Sequence, residues 1–185
     1  RGKYAGGGNY FICNVTNNAT FQMGSAATNG GSFRGLLTNN GTFNYYQGDL
    51  VQGRLTNYGT FNINGDFDCL RLVNEATITI PTDRWITATG TGYANAVENN
   101  GTLYMSPRAH IDVGTSSTFV NNGDLYAGGS GSDYAHLFGD LENNGTLVPC
   151  HPDFTSGHFF VNGDFTASSS AEFHADANRS PPCAA

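Results

Sequence analysis

Charge is what this sequence has least of. Asp, Glu, Lys and Arg together make up only 12% of 185 residues, and Lys3 is the single lysine. Scarcity of Lys, Glu and other long helix formers excludes a helical protein, and the low charge excludes a charged disordered one. With a net charge of −7, a pI near 4.9 and no Lys/Arg cluster, nothing is available to neutralise phosphates. A nucleic-acid or anionic-membrane partner is therefore excluded. No apolar run approaches the ~18 residues of a crossing helix, so no membrane insertion is expected. The four cysteines form no C-x-x-C pair, which removes zinc-ribbon spacing. An even count without a metal pattern points to an oxidising, extracellular setting, secreted or at the cell surface. Arg1 opens the chain with neither an initiator Met nor a signal peptide, which reads as a processed form or a piece of a longer precursor. G-x-S-x-G, H-E-x-x-H and P-loop signatures are missing too, and no cofactor is expected.

What is present is repetition. Leu37-Thr38-Asn39-Asn40-Gly41-Thr42-Phe43 returns at Leu55–Phe61, Leu72–Ile78, Val97–Leu103, Phe119–Leu125 and Leu141–Leu147. A weaker copy precedes it at Val15–Phe21, and a degenerate one follows at Phe159–Phe165. The first column is aliphatic or Phe, the third Asn in all but the last copy, the fifth Gly or Ala, the sixth Thr or Asp, the seventh apolar. A repeat of roughly 20 residues that cannot bury its own apolar side is the mark of a stacked solenoid. Three regions follow: a Gly-rich lead-in or cap over 1–14, repeats over 15–165, and a last coil with a Pro/Cys tail over 166–185.

Within a copy, Phe61 and Ile63 point one way and Thr60, Asn62 and Asn64 the other, the alternation of a half-buried strand. Helical spacing is nowhere sustained, so the chain is all-β. Turn residues such as Gly65-Asp66 then lead to a third apolar stretch, Leu50-Val51 or Phe67. Asn-Gly between apolar runs is also a hairpin signal. A two-residue loop at Asn40-Gly41 would mix both faces, which a register cannot tolerate. A three-residue loop would need a left-handed residue where Ala19 and Ala76 stand. A parallel β-helix of about eight coils suits a small residue there, because neighbouring coils pack closely. Its third column would be an amide ladder: Asn17, Asn39, Asn57, Asn74, Asn99, Asn121 and Asn143.

These LTNNGTF-type repeats, with Phe160-Val161-Asn162-Gly163-Asp164-Phe165, resemble the passenger regions of bacterial autotransporters and of filamentous-haemagglutinin-type adhesins. The resemblance covers Val15 to Phe165. It implies a right-handed parallel β-helix at the cell surface.

Long excursions follow the motif at 79–96, 104–118 and 126–140, and the common phase sends them out on one flank. They carry the only tryptophan, Trp85, with Arg84, Tyr93, Arg108, His110, Asp112, Asp133, Tyr134 and His136. Aromatic rings beside Asp and Arg forks suit extracellular glycans, which makes an adhesin module one reading. Asp112 with Asp133, or His110 with His136, could serve a polysaccharide lyase or hydrolase if about 5–10 Å apart. A structural protein is the leading reading. A stack ends in unpaired strand edges, and head-to-tail joining of copies into a fibre does not close on itself.

Cys13 and Cys69 would lie about three layers or ~14 Å apart, beyond the ~7 Å reach of a disulfide. A Cys150–Cys183 bridge is the expected pairing, leaving Cys13 and Cys69 free or bridging to a neighbouring molecule. Cys150, His151, Asp153 and His158 are metal-ligand types, but Pro149 and Pro152 favour a rigid loop, and no metal is expected. Gly128 to Ser132 lacks the lysine of a phosphate loop. An ice-binding face wants two Thr columns, and only Thr77/Thr79 and Thr87/Thr89/Thr91 provide doublets. Asn14, Asn18, Asn40, Asn100, Asn144 and Asn178 open N-x-S/T sequons that can accept glycans.

Overall fold

A computed structural model describes residues 10–25, 32–46, 53–90, 92–128, 133–149 and 158–173. They form an all-β parallel solenoid with three walls. The first wall has eight strands, from Val15–Asn17 to Phe165–Ala167. The second also has eight, from Thr20–Met23 to Glu172–Phe173. The third has five, from Phe67–Cys69 to Phe159–Asn162, and Tyr10–Ile12 pairs separately with Ser32–Arg34. Among the described residues no helix is long and apolar enough to cross a membrane.

Equivalent motif positions pair with each other. Leu37 lies between Val15 and Leu55, and Leu72, Val97, Phe119 and Leu141 continue the row. The hairpin alternative is therefore wrong: the two strands flanking an Asn-Gly corner belong to different walls. Alternation sends one set of side chains inward, where Leu37, Phe43, Leu55, Ile78, Leu103 and Leu125 are fully enclosed or nearly so. Phe21, Phe43 and Phe61 stack at 5.4 and 5.0 Å, with Phe67 edge-on to Phe61 at 4.9 Å.

The corner between the first two walls explains the Asn and Gly columns. Each buried Asn amide donates to the next one up: Asn17 to Asn39 at 2.7 Å, Asn39 to Asn57 at 2.7 Å, Asn99 to Asn121 at 2.8 Å, Asn121 to Asn143 at 2.7 Å. The same nitrogen also donates to a backbone carbonyl, as Asn39 does to Thr60 at 2.9 Å, so the corner's buried polar groups are paired. The glycines of the fifth column are there for space. A Cβ on Gly41 would run into the Ala19 carbonyl, and one on Gly123 into that of Gly101. Left-handed φ values occur at other glycines, such as Gly90 and Gly139. Where Ala76 replaces glycine, the Asn57–Asn74 link is 3.2 Å, the longest in the ladder.

Three expectations need correction. About six turns close fully round the core, against eight coils expected. Eight strands stack in each of the first two walls, but the terminal rungs have a neighbour on one side only, and the strands Phe165–Ala167 and Glu172–Phe173 are exposed throughout. The final copy also begins later than Phe159: Phe165 pairs with Leu141 and Ala167 with Asn143, while Phe159 pairs with Ala135 in the third wall. Asn162-Gly163 turns the corner into the first wall, where Gly163 packs on Gly139. It imitates the motif without sharing its place. Lastly, the three excursions are wall rather than loop, since each contains a third-wall strand: Trp85–Ala88, His110–Asp112 and Ala135–Phe138.

Cys13 is exposed, Cys69 is buried, and both are free, so no disulfide forms among the described residues. Cys150 and Cys183, like Leu50-Val51, His151, Asp153, the run 129–132 and Asn178, lie outside them.

Candidate functional site

The outward side of the third wall gathers most of the expected ligand-binding residues. Strand pairing puts Trp85, His110, His136 and Phe160 in one row, with Thr87, Asp112, Phe138 and Asn162 in the next. A parallel in-register sheet repeats every side chain at the ~4.8 Å strand spacing, so flat rings pile along the axis. Trp85 stacks on His110 at 4.1 Å and 17°, and lies nearly parallel to Phe138 at 5.5 Å. His136 sits 5.4 Å from His110 and 5.0 Å from Phe160, with Tyr134 at 4.5 Å from His136. The rings thus spend much of their face area on each other.

Beside this column, Arg108 forks onto Asp83 at 2.6 and 2.9 Å and reaches Asp133 at 3.1 Å. Asp83 and Arg108 hold left-handed backbones, φ 60° and 58°, which aim the two side chains at each other across adjacent turns. The hydrogen bonds from Arg108 hold the Asp83 carboxyl below its usual value. Burial lowers both imidazoles, and the proximity of His136 lowers His110 further. His110 Nδ1 is enclosed without a hydrogen-bond partner.

Other expected residues go elsewhere. Asp112 accepts the Gly114 N–H at 2.8 Å, while Asp133 is held by Arg108, so each carboxylate has its own partner. Tyr93 lies against the guanidinium groups of Arg54 and Arg71 at 5.9 and 5.8 Å, on the first wall, with Arg71 paired to Glu98. Arg84 immediately precedes Trp85, and its carbonyl accepts the His110 N–H. Among the described residues no group of three or more His, Cys, Asp or Glu is placed to hold a metal.

Residue-type reasoning missed Phe138 and Phe160. Both would emerge from aligning the third strands as the motif strands were aligned. A second amide ladder runs outside the first, through several of the sequon asparagines. Asn40 donates to Asn18, Asn122 to Asn100 and Asn144 to Asn122, at 2.9, 2.8 and 3.1 Å. The nitrogen that would carry a sugar on Asn40 or Asn144 is engaged there, and that of Asn100 donates to Glu75 at 2.8 Å. Asn14 uses its oxygen to accept the Leu36 N–H.

The last rung is the other distinctive surface. Phe160, Phe165 and Phe173 are 53%, 47% and 57% exposed. With Leu147, Pro149, Phe159 and Val161, the last two phenylalanines line an apolar cleft of about 230 Å³. At the opposite end Ile12 is 74% exposed. Comparison with protein-family models, curated proteins and solved structures finds no match for the chain.

Proposed function

We propose that this chain is a structural β-solenoid whose copies join head to tail, forming a fibre or surface appendage outside the cell. One observation carries the reading: large aromatic side chains are exposed together on the last rung, next to strands paired on one side only. Clustered apolar exposure at an unpaired strand edge favours adding another strand. The first rung of a second copy offers strands of the same parallel polarity in the first two walls, plus exposed Ile12. Cys13 is exposed near that end and free to bridge copies, whereas buried Cys69 is not.

Gel filtration with light scattering and electron microscopy, with and without reductant, test this. The parent should assemble with rising concentration, and a charge on the last rung, Phe165→Arg with Phe173→Lys, should hold it monomeric while its circular dichroism stays unchanged. A parent that remains monomeric under both redox conditions sinks the proposal. A second reading, an adhesin module that binds glycans on the Trp85 flank, is favoured by the ring column beside the Arg108 clamp. A glycan array comparing the parent with Trp85→Ala separates it from assembly.

A further inference from the structure

The second wall offers a site of a different kind. Asn44, Asn62 and Thr79 form one outward row, in register across three adjacent strands, with Asn62 donating to Asn44 at 2.7 Å. Tyr46 and Pro81 rise beside this row, and Asn64 lies between them in sequence and in rung. Together they bound a groove of about 510 Å³, within the size range of small-ligand sites. Thr60 and Thr77 form its other side. We propose that this groove binds a neutral oligosaccharide laid along the solenoid axis.

The argument proceeds by elimination and then by fit. Among the described residues no Asp, Glu, Lys, Arg or His lines the groove, although the chain carries a net charge of −7. An anionic ligand would find no cation there, and a cationic one no carboxylate. An apolar ligand would leave amides and hydroxyls without water or partners, at a cost of about 1–3 kcal/mol per group. A peptide adding as a strand needs a free sheet edge, and the strands beneath the groove, Thr42–Tyr45, Thr60–Ile63 and Thr77–Ile80, are each paired on both sides. A neutral polyhydroxylated chain meets none of these objections. Amides and hydroxyls each donate and accept, so they match sugar hydroxyls of either sense. The row repeats at the ~4.8 Å strand spacing, comparable to the rise of one ring in an extended glycan. The Tyr46 and Pro81 rings supply flat apolar walls for the C–H faces of sugars. This site shares no residue with the ring column on the third wall or with the last rung.

Calorimetric titration with neutral β-linked glucan oligomers, and with uronate and sulfated oligomers as controls, tests the assignment. The proposal expects neutral oligomers to bind the parent and the anionic ones not to. Tyr46→Ala and Asn62→Asp should each weaken binding about tenfold or more, equivalent to ~1.4 kcal/mol. The last-rung charge variant should leave it unchanged, and circular dichroism should show all variants folded. Failure of every neutral oligomer to bind overturns it. So does preference for anionic oligomers, or loss of binding with Trp85→Ala but not with the groove variants.

Discussion

Replacing Asn99 by alanine tests the ladder at its middle. The Asn99 amide nitrogen donates to Asn121 at 2.8 Å, to the Asp124 carbonyl at 3.0 Å and to its own Gly101 carbonyl at 3.2 Å, while its oxygen accepts from Asn74 at 2.8 Å. After truncation, Asn74 still has the Ala76 and Thr102 carbonyls as acceptors. The Gly101 carbonyl keeps the Asp124 N–H. The Asn121 oxygen, fully buried, loses its donor and cannot turn to water. One orphaned buried acceptor costs about 1–3 kcal/mol, and the other lost bonds about 1 kcal/mol net. The sum is roughly 2–4 kcal/mol, or a fall in Tm of about 4–16 °C for a chain of this size. Asn143→Ala is the control, because Asn143 ends the ladder: its nitrogen donates to the Gly145 carbonyl, which keeps the Glu172 N–H, and Asn121 keeps the Gly123 and Thr146 carbonyls as acceptors; its cost should stay under about 1 kcal/mol. Calorimetry or urea unfolding at neutral pH measures both. Equal costs for the two variants, or a loss under ~0.5 kcal/mol for Asn99→Ala, would refute the claim that the ladder holds the corner.

Gly123→Ala should cost roughly 1–3 kcal/mol in urea unfolding, since its Cβ meets the Gly101 backbone and the rungs must part; an unchanged midpoint would mean the column has slack. Acid should destabilise the third wall. Burial holds His110 and His136 below the ordinary imidazole value, and the nearby Asp83 and Asp66 offset this only partly for His110. An imidazole with a depressed folded value leaves stability complete above the unfolded value of ~6.5 and draws it down as pH falls through that value towards the folded one. The urea midpoint should therefore drop between pH 7.5 and 5, and drop less in a His110→Gln, His136→Gln variant. Equal pH dependence in the two proteins would clear the imidazoles of the effect.

The first two walls were legible in the sequence because a stack turns sequence period into spatial column. Asn39 and Gly41 recur at a fixed offset from Leu37, and both answer to the same corner. Nothing comparable marks the third wall. Trp85, His110, His136 and Phe160 share a row but not a single residue type. The chain between motifs also varies in length, so only backbone pairing reveals which residues lie together. Similar ambiguity misplaced the final copy. Phe159 to Phe165 has the motif's turn chemistry, but its Asn-Gly serves the corner between the third and first walls. The second-wall groove escaped for the opposite reason: Asn44, Asn62 and Thr79 look like ordinary outward positions of a strand, and only register makes them a row.

The place where the ladder stops bears on how copies would join. Asn143 has Ala167 above it instead of another amide, and turns its nitrogen to the Gly145 carbonyl. A second copy stacked on the last rung would meet Ala167, Phe165 and Phe173, so no amide chain would cross the joint. Inside a protomer, buried amides and aliphatic rows hold the turns together; across the joint, strand edges and aromatic contacts would have to suffice. Those two kinds of contact differ in their response to solvent. Mild denaturant weakens apolar association before it reaches the enclosed amides, so the proposed fibre should fall apart into folded protomers. Dilute urea that removes light scattering while far-UV circular dichroism stays intact is the expected behaviour. Simultaneous loss of both signals would mean that the joint is as strong as the interior and that Ala167 is no break at all.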